Sequence, residues 1–238
     1  MVWFLEGVCF LPTFVVIWSS ITFIVNYLIA LFREDVDVIF PYISDTGATP
    51  PESCIFGLMA TISAFAGFAT MFARYKFVQK LIEKTGGVPP NLNLAAFIFA
   101  TLSCIGMCFV ATFQETQVTA VHDTGALMFF ISGVVYIILQ TIISYKVHPY
   151  GSSKRMCHIR TAFSVVAFLA VIPTLLCASF LTISKLHWTP EDKGYTLHVV
   201  SAVSEWIAAF TFVFFFFTYI QEFKQFTLKV NVEILEFT

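Results

Sequence analysis

Charge is scarce in this sequence. Of its 238 residues only 12% are Asp, Glu, Lys or Arg, about half the roughly 25% of a soluble domain, and that excludes a soluble enzyme. Thirteen Lys and Arg against fifteen Asp and Glu leave no basic surplus, so nucleic acid is not an expected partner. The chain also lacks internal repeats, low-complexity tracts and linkers, which leaves a single domain over residues 1–238. No Asn-x-Ser/Thr acceptor occurs, since Asn26, Asn91, Asn93 and Asn231 all have the wrong residue at the third position. His-Glu-x-x-His, Gly-x-Ser-x-Gly and phosphate-cradling glycine loops are absent as well, so no catalytic residue, metal or cofactor is assigned.

What remains is 58% hydrophobic. About 20 apolar residues cross a bilayer as a helix, and six uncharged runs reach that length, at residues 8–32, 53–73, 92–113, 124–145, 161–184 and 197–220. Glu205 is the one formal charge inside them. The runs are continuous, without the alternation of barrel strands. The expected fold is therefore an all-α polytopic bundle of six transmembrane helices. The first run lacks a basic flank and exceeds a signal-peptide core, so it is expected to stay as a span.

Cations are divided unequally between the two sides. Arg74, Lys76, Lys80, Lys84, Lys146, Lys154, Arg155, Arg160, Lys224 and Lys229 fall on the side of the termini, and Arg33, Lys185 and Lys193 on the other. The positive-inside rule then predicts cytosolic termini. The exoplasmic side is acidic, and its longest connection, residues 33–52, is interrupted by Pro41, Gly47, Pro50 and Pro51. Residues 33–38 read as a solvated loop. The apolar Phe40-Pro41-Tyr42-Ile43 run instead reads as lying at the headgroup boundary or folding back over the bundle.

Within the spans, Ala60 and Ala64, then Ser63 and Gly67, recur at the four-residue spacing of close helix approach, and Gly125 and Gly133 suggest the same. Trp188 and Tyr195 suit an interfacial belt. The cysteines form no framework; Cys104 and Cys108 read as small apolar residues, and Cys157, beside Lys154 and Arg155, is a candidate for acylation.

Ionisable residues in a membrane are functional candidates by default. His122 and Asp123 open the fourth span and His198 opens the sixth from the same side. Ser201 follows, and Glu205 lies two turns beyond His198, roughly 10 Å deeper. With Asp45 and Glu52 from the long connection, these seven residues form a candidate polar cluster. It allows three chemistries: a divalent cation site, acid and base groups toward a lipid headgroup, or structural ties between helices. If the cluster faced a compartment near pH 5, below the ordinary histidine pKa of about 6.5, His122 and His198 would be protonated there. Asp123 and Glu205 are then their candidate counter-charges, drawing the fourth and sixth spans together.

The run Pro41-Tyr42-Ile43-Ser44-Asp45-Thr46-Gly47-Ala48-Thr49-Pro50-Pro51-Glu52-Ser53 resembles the first exoplasmic loop of the DRAM/Frag/Sfk family of six-span membrane proteins. Phe113-Gln114-Glu115, His122-Asp123-Thr124-Gly125-Ala126 and Ser204-Glu205-Trp206 are similar to residues that family carries further along, so the resemblance covers the whole chain. Length and a short tail are most similar to its autophagy-modulating members. The resemblance implies a non-enzymatic multi-pass protein of the lysosomal membrane that promotes autophagy and links DNA damage to autophagy and apoptosis. Its implied partners are membrane lipid and other lysosomal or autophagy proteins; plasma membrane or Golgi is the alternative location. Relatives that work in lipid-anchor remodelling or position a lipid kinase keep a second reading open, a lipid-remodelling enzyme or small-solute transporter built on the His/Asp/Glu cluster. Two sorting motifs are weak, Tyr75-Lys76-Phe77-Val78 because it abuts the membrane and Ile234-Leu235 because no acidic residue stands four positions before it.

Overall fold

The computed structural model describes residues 7–181 and 185–229. Six helices are long and apolar enough to cross a membrane: α1 (Phe10–Phe32), α2 (Glu52–Thr85), α3 (Pro90–Thr112), α4 (Thr119–Val147), α5 (Lys154–Ser179) and α6 (Tyr195–Phe217). A short α7 (Ile220–Phe223) follows α6, and a 3₁₀ turn (Asp45–Gly47) interrupts the first long connection. Each long helix packs on the next in sequence, and α6 closes back on α1. Leu58, Phe65, Ile98, Leu169 and Phe217 stay exposed around the outside, as side chains solvated by lipid would be.

Where a helix runs longer than the predicted span, the cause is helix continuing past the apolar run. α2 goes on for twelve residues beyond Ala73 because Arg, Lys, Gln and Glu are good helix formers. Lys80 and Glu83 pair on its surface at 2.6 Å, and the helix stops at Gly86, whose φ of 63° is the left-handed C-terminal cap that glycine adopts without strain. α5 ends earlier than expected, at Ser179; residues 182–184 of its predicted span lie outside the described residues. Pro12 falls in the first turn of α1 and Pro173 inside α5, which remains one helix.

Small residues set the closest approaches. A Cβ on Gly106 of α3 would lie 2.5 Å from Phe129 N and 2.6 Å from the Gly125 carbonyl, so α3 and α4 meet backbone to backbone. Gly133 accepts the Phe212 ring edge against its face. Ala60, Ser63, Ala64 and Gly67 are all buried, and the last three line a cavity of about 80 Å³ at the centre of the bundle.

The end that carries the termini is tied by charge. Val8 N–H donates to the Phe223 carbonyl at 3.0 Å, which brings the start of α1 to α7. Arg74 and Arg160, counted in the sequence as loop cations, are both fully buried. Both guanidinium groups pair with Glu222 of α7. Arg160 also donates to Ser144 Oγ at 2.7 Å, Ser152 Oγ at 2.9 Å and Thr218 Oγ1 at 2.9 Å, and Arg74 Nε to Gln140 Oε1 at 3.2 Å. The Tyr219 ring lies 4.8 Å from the Arg160 guanidinium and 5.1 Å from that of Arg74. Its hydroxyl meets that of Tyr136 at 2.9 Å. Cys157 is fully buried beside this knot, which overturns acylation there: an enclosed thiol offers no nucleophile to a modifying enzyme.

Candidate functional site

At the opposite end the long connection folds inward over the bundle. Its apolar residues have somewhere to go: Ile43 joins Phe23, Phe56 and Val213 in a core cluster, while Pro41, Ser44, Asp45, Thr46, Gly47 and Ala48 are also buried. Two consecutive side chains of α6 hold this segment by its backbone. Glu205 Oε2 accepts the Ile43 N–H at 2.9 Å, and Trp206 Nε1 donates to the Pro41 carbonyl at 2.9 Å. Asp45 Oδ2 accepts from Tyr42 N at 3.2 Å, and Thr46 Oγ1 donates to the Ile43 carbonyl at 2.6 Å. Ser44 Oγ donates to Glu115 Oε2 at 2.9 Å, joining the loop to the α3–α4 connection. The Gly47 site is pressed on Phe56, whose ring carbon a Cβ would meet at 2.5 Å.

Residues 33–38 are not simply solvated. Val36 is buried, Arg33 forms an ion pair with Glu52, and Asp37 accepts from Trp188 N at 2.6 Å and contacts His187 Nδ1 at 3.1 Å. The first and third connections on this side are thereby tied together. Trp188 accordingly stacks on His198 at 4.6 Å between ring centroids, rather than serving only as an interfacial anchor.

The seven residues of the candidate cluster divide into two sets. Asp45, His122, Asp123 and Glu205 line one cavity of about 480 Å³, together with Tyr42, Ser44 and Glu115. Glu52 does not, because Pro50 and Pro51 carry the chain away to start α2 and its carboxylate meets Arg33 instead. His198 is wedged between Trp188 and the edge of Tyr42, at 4.9 Å. Ser201 donates to the Thr174 carbonyl of α5 at 2.7 Å. His122 Nδ1 meets the Phe113 carbonyl at 2.7 Å, which fastens α4 to the end of α3. Among the described residues neither imidazole is hydrogen-bonded to Asp123 or Glu205, so the expected histidine–carboxylate contacts between the fourth and sixth spans are not formed. Among the described residues no three His, Cys, Asp or Glu side chains come together as a metal site.

The electrostatics of the cavity are one-sided. Asp45 is held well above the usual carboxylate range, first by burial and then by the charges of Glu115 and Glu205. Burial also raises the Tyr42 phenol, and Glu205, Glu115 and Asp45 add to it, against a lowering from Ser201. Sequence reading named Glu115 only in the Phe113-Gln114-Glu115 run and not in the cluster; the α3–α4 turn that brings it to Ser44 carried no signal in the sequence.

The match to the family model described as "Frag1/DRAM/Sfk1/Cwh43P N-terminal domain" runs over residues 7–226, nearly the whole described bundle. The chain belongs to the Frag1/DRAM/Sfk1 family. It is 50% identical over 234 residues to DNA damage-regulated autophagy modulator protein 1 of Homo sapiens, covering 98% of each chain. It is 40% identical over 242 residues to DNA damage-regulated autophagy modulator protein 2 of Mus musculus, covering 98% of this chain and 90% of that one. A more distant relative, modulator of macroautophagy TMEM150B of Danio rerio, is 26% identical over 216 residues, 90% of this chain and 84% of that one. No solved structure matches. For this family member the Pro41 to Glu52 motif is the segment that α6 grips through Glu205 and Trp206. The family-like residues of the last span and of the first loop are therefore two halves of one contact.

Proposed function

We propose that this chain modulates autophagy from the lysosomal membrane, with cytosolic termini and the gripped loop facing the lumen, and that it responds to DNA damage and apoptotic signals as a non-enzymatic component. The observation that carries the reading is similarity across 98% of the chain to relatives named as autophagy modulators. The lumenal placement of the loop follows from the cation asymmetry: with Arg74 and Arg160 buried, eight cations still stand at the terminal end against three at the other. A non-enzymatic role is supported by the commitments of the polar side chains, since Ser201 is bonded to a backbone carbonyl and His122 likewise. The Tyr75-x-x-Val78 motif lies within α2 with Val78 fully buried, which speaks against its use as a sorting signal; Ile234-Leu235 lies outside the described residues.

Two measurements test this. Autophagic flux in cells lacking the protein should recover on its re-expression from lysosomes; residence only in the plasma membrane with unchanged flux refutes it. Single reporter cysteines at Val38 and Tyr150, 70% and 71% exposed, should label from the lumenal and the cytosolic side respectively, and the reverse pattern refutes the orientation. The cavity of about 480 Å³ supports a second reading, in which membrane lipid is a direct partner of this face.

A further inference from the structure

The first connection leaves one apolar stretch outside the bundle. Val38, Ile39 and Phe40 are 70%, 57% and 49% exposed, while Val36 before them and Pro41 and Ile43 after them are buried. Both ends of the stretch are pinned. Asp37 accepts the Trp188 N–H at the level where Trp188 stacks on His198, and the Pro41 carbonyl accepts from Trp206 Nε1. Trp206 follows His198 by eight residues, roughly 12 Å along α6. Pro41 follows Asp37 by four residues, and an extended chain covers roughly 13 Å in four steps. The stretch therefore descends almost straight along the outside of the bundle.

It descends beside α1. The Val38 carbonyl accepts from Tyr27 Oη at 3.0 Å, and Tyr27 lies five residues before the end of a membrane-spanning helix, roughly 7.5 Å inside it. Ile24, one turn earlier on the same face of α1, is 48% exposed and belongs to the surface that lipid solvates. Phe40 has a left-handed φ of 39°, which is strained for a residue other than glycine. That strain brings the ring no enclosure within the molecule, since it stays half exposed. Among the described residues the peptide groups of Ile39 and Phe40 form no intramolecular hydrogen bond. Bare peptide groups are excluded from hydrocarbon, so the stretch halts where headgroup water still reaches its backbone.

We propose that Ile39 and Phe40 are a membrane-inserted tip, seated in the leaflet at this end of the bundle among the glycerol groups and first methylenes of its phospholipids. Val38, next to Asp37, remains at the aqueous edge. The partner is lipid rather than protein because the tip continues the lipid-facing stripe of α1 and lies below the level of the Trp188–His198 stack. Aromatic and aliphatic side chains are stable at that boundary. Through Pro41 and Ile43 the same segment is held by Trp206 and Glu205 of α6, so the leaflet and the last span meet in one short piece of chain.

The test uses the full chain in phosphatidylcholine liposomes, with the photoreactive residue p-benzoylphenylalanine placed singly at Ile39, Phe40, Phe65 or Lys84. Phe65 is 68% exposed within α2 and marks lipid contact; Lys84 lies ten residues past Arg74 and marks water. After irradiation, lipid adducts read by mass spectrometry should form at Ile39 and Phe40 as at Phe65, and be absent at Lys84. Absence of lipid adducts at either tip position overturns the proposal, and so does crosslinking of the tip to a second copy of the chain in place of lipid. A second measurement reads the anchoring. In protein whose Cys157 stays closed to thiol reagents, Phe40→Lys should raise proteolytic cleavage within residues 33–52 by about tenfold, from lost apolar burial of one side chain. Phe40→Trp keeps an interfacial side chain and should leave cleavage unchanged. Equal cleavage of the Lys variant and the unaltered protein refutes the anchoring, and a Trp variant cleaved as fast as the Lys variant refutes it as well.

Discussion

Among the described residues Glu222 is the one anion paired with the two fully buried guanidinium groups, and its replacement by Gln is the sharpest probe of how the bundle is held. The amide can still accept hydrogen bonds from Ser152 and Arg160, so the change removes charge more than contact. Taking the partner from a buried ion pair costs about 3–5 kcal/mol, because the remaining charge has neither water nor a counter-ion. Here two cations are left facing each other, so the upper part of that range applies. At about 2–4 °C per kcal/mol for a chain of this size, the apparent Tm should fall by roughly 6–20 °C. Arg74→Met makes the comparison decisive, because it leaves a neutral Arg160–Glu222 pair and should cost less than half as much. The surface control is Lys80→Gln, whose ion pair has side chains 74% and 55% exposed and which should shift stability by no more than about 0.5 kcal/mol. Thermal unfolding of detergent-purified protein, followed by cysteine accessibility at Cys157, reads all three. If Arg74→Met is as damaging as Glu222→Gln, charge balance is not what the knot supplies and the reasoning fails.

Two glycines of the spans should answer oppositely to alanine. Gly106→Ala drives a Cβ onto backbone atoms at 2.5–2.6 Å and should cost about 1–3 kcal/mol; Gly67→Ala meets nothing closer than Met71 Cε at 3.9 Å and should stabilise, by up to about 1 kcal/mol of helix propensity. Thermal unfolding of the pair checks this. The long loop should tighten in acid: the Asp45 carboxyl is raised in the fold by burial, Glu115 and Glu205. Its contribution to stability is thus full below the unfolded value of about 3.9 and is lost as pH rises through the higher folded value. Proteolysis at residues 33–52 should be slower at pH 5 than at pH 7, and Asp45→Asn should remove that difference.

The apolar runs made the six spans legible, since burying that many uncharged residues in water has no alternative solution. Their ends were not, because the helix of α2 continues on propensity after hydropathy stops at Arg74. The same criterion placed Arg74 and Arg160 in loops: a cation next to an apolar run reads as its boundary, and only the arrival of Glu222 from distant sequence shows that it is interior. In the site, the shared side of Asp45, His122, Asp123 and Glu205 could be read from span parity. That Glu52 leaves for Arg33, and that His198 is taken up between Tyr42 and Trp188, depend on the paths of the connecting loops. Helical periodicity carries no information about those paths.

The Arg74–Glu222 pair also sets an order of events. The partners are separated by 148 residues, which at about 5–20 residues per second of synthesis is roughly 7–30 s. For that interval α2 is in place with a guanidinium turned toward a bundle that does not yet contain its anion, and α5 later adds a second. Helices α1 to α6 can all be inserted while the molecule is still electrically unfinished. Completion waits for the one turn of helix that follows α6, so a chain halted before residue 222 would carry two cations without the anion that pairs with both. The charge balance of the bundle is thus settled by its final turn rather than by any of the six spans.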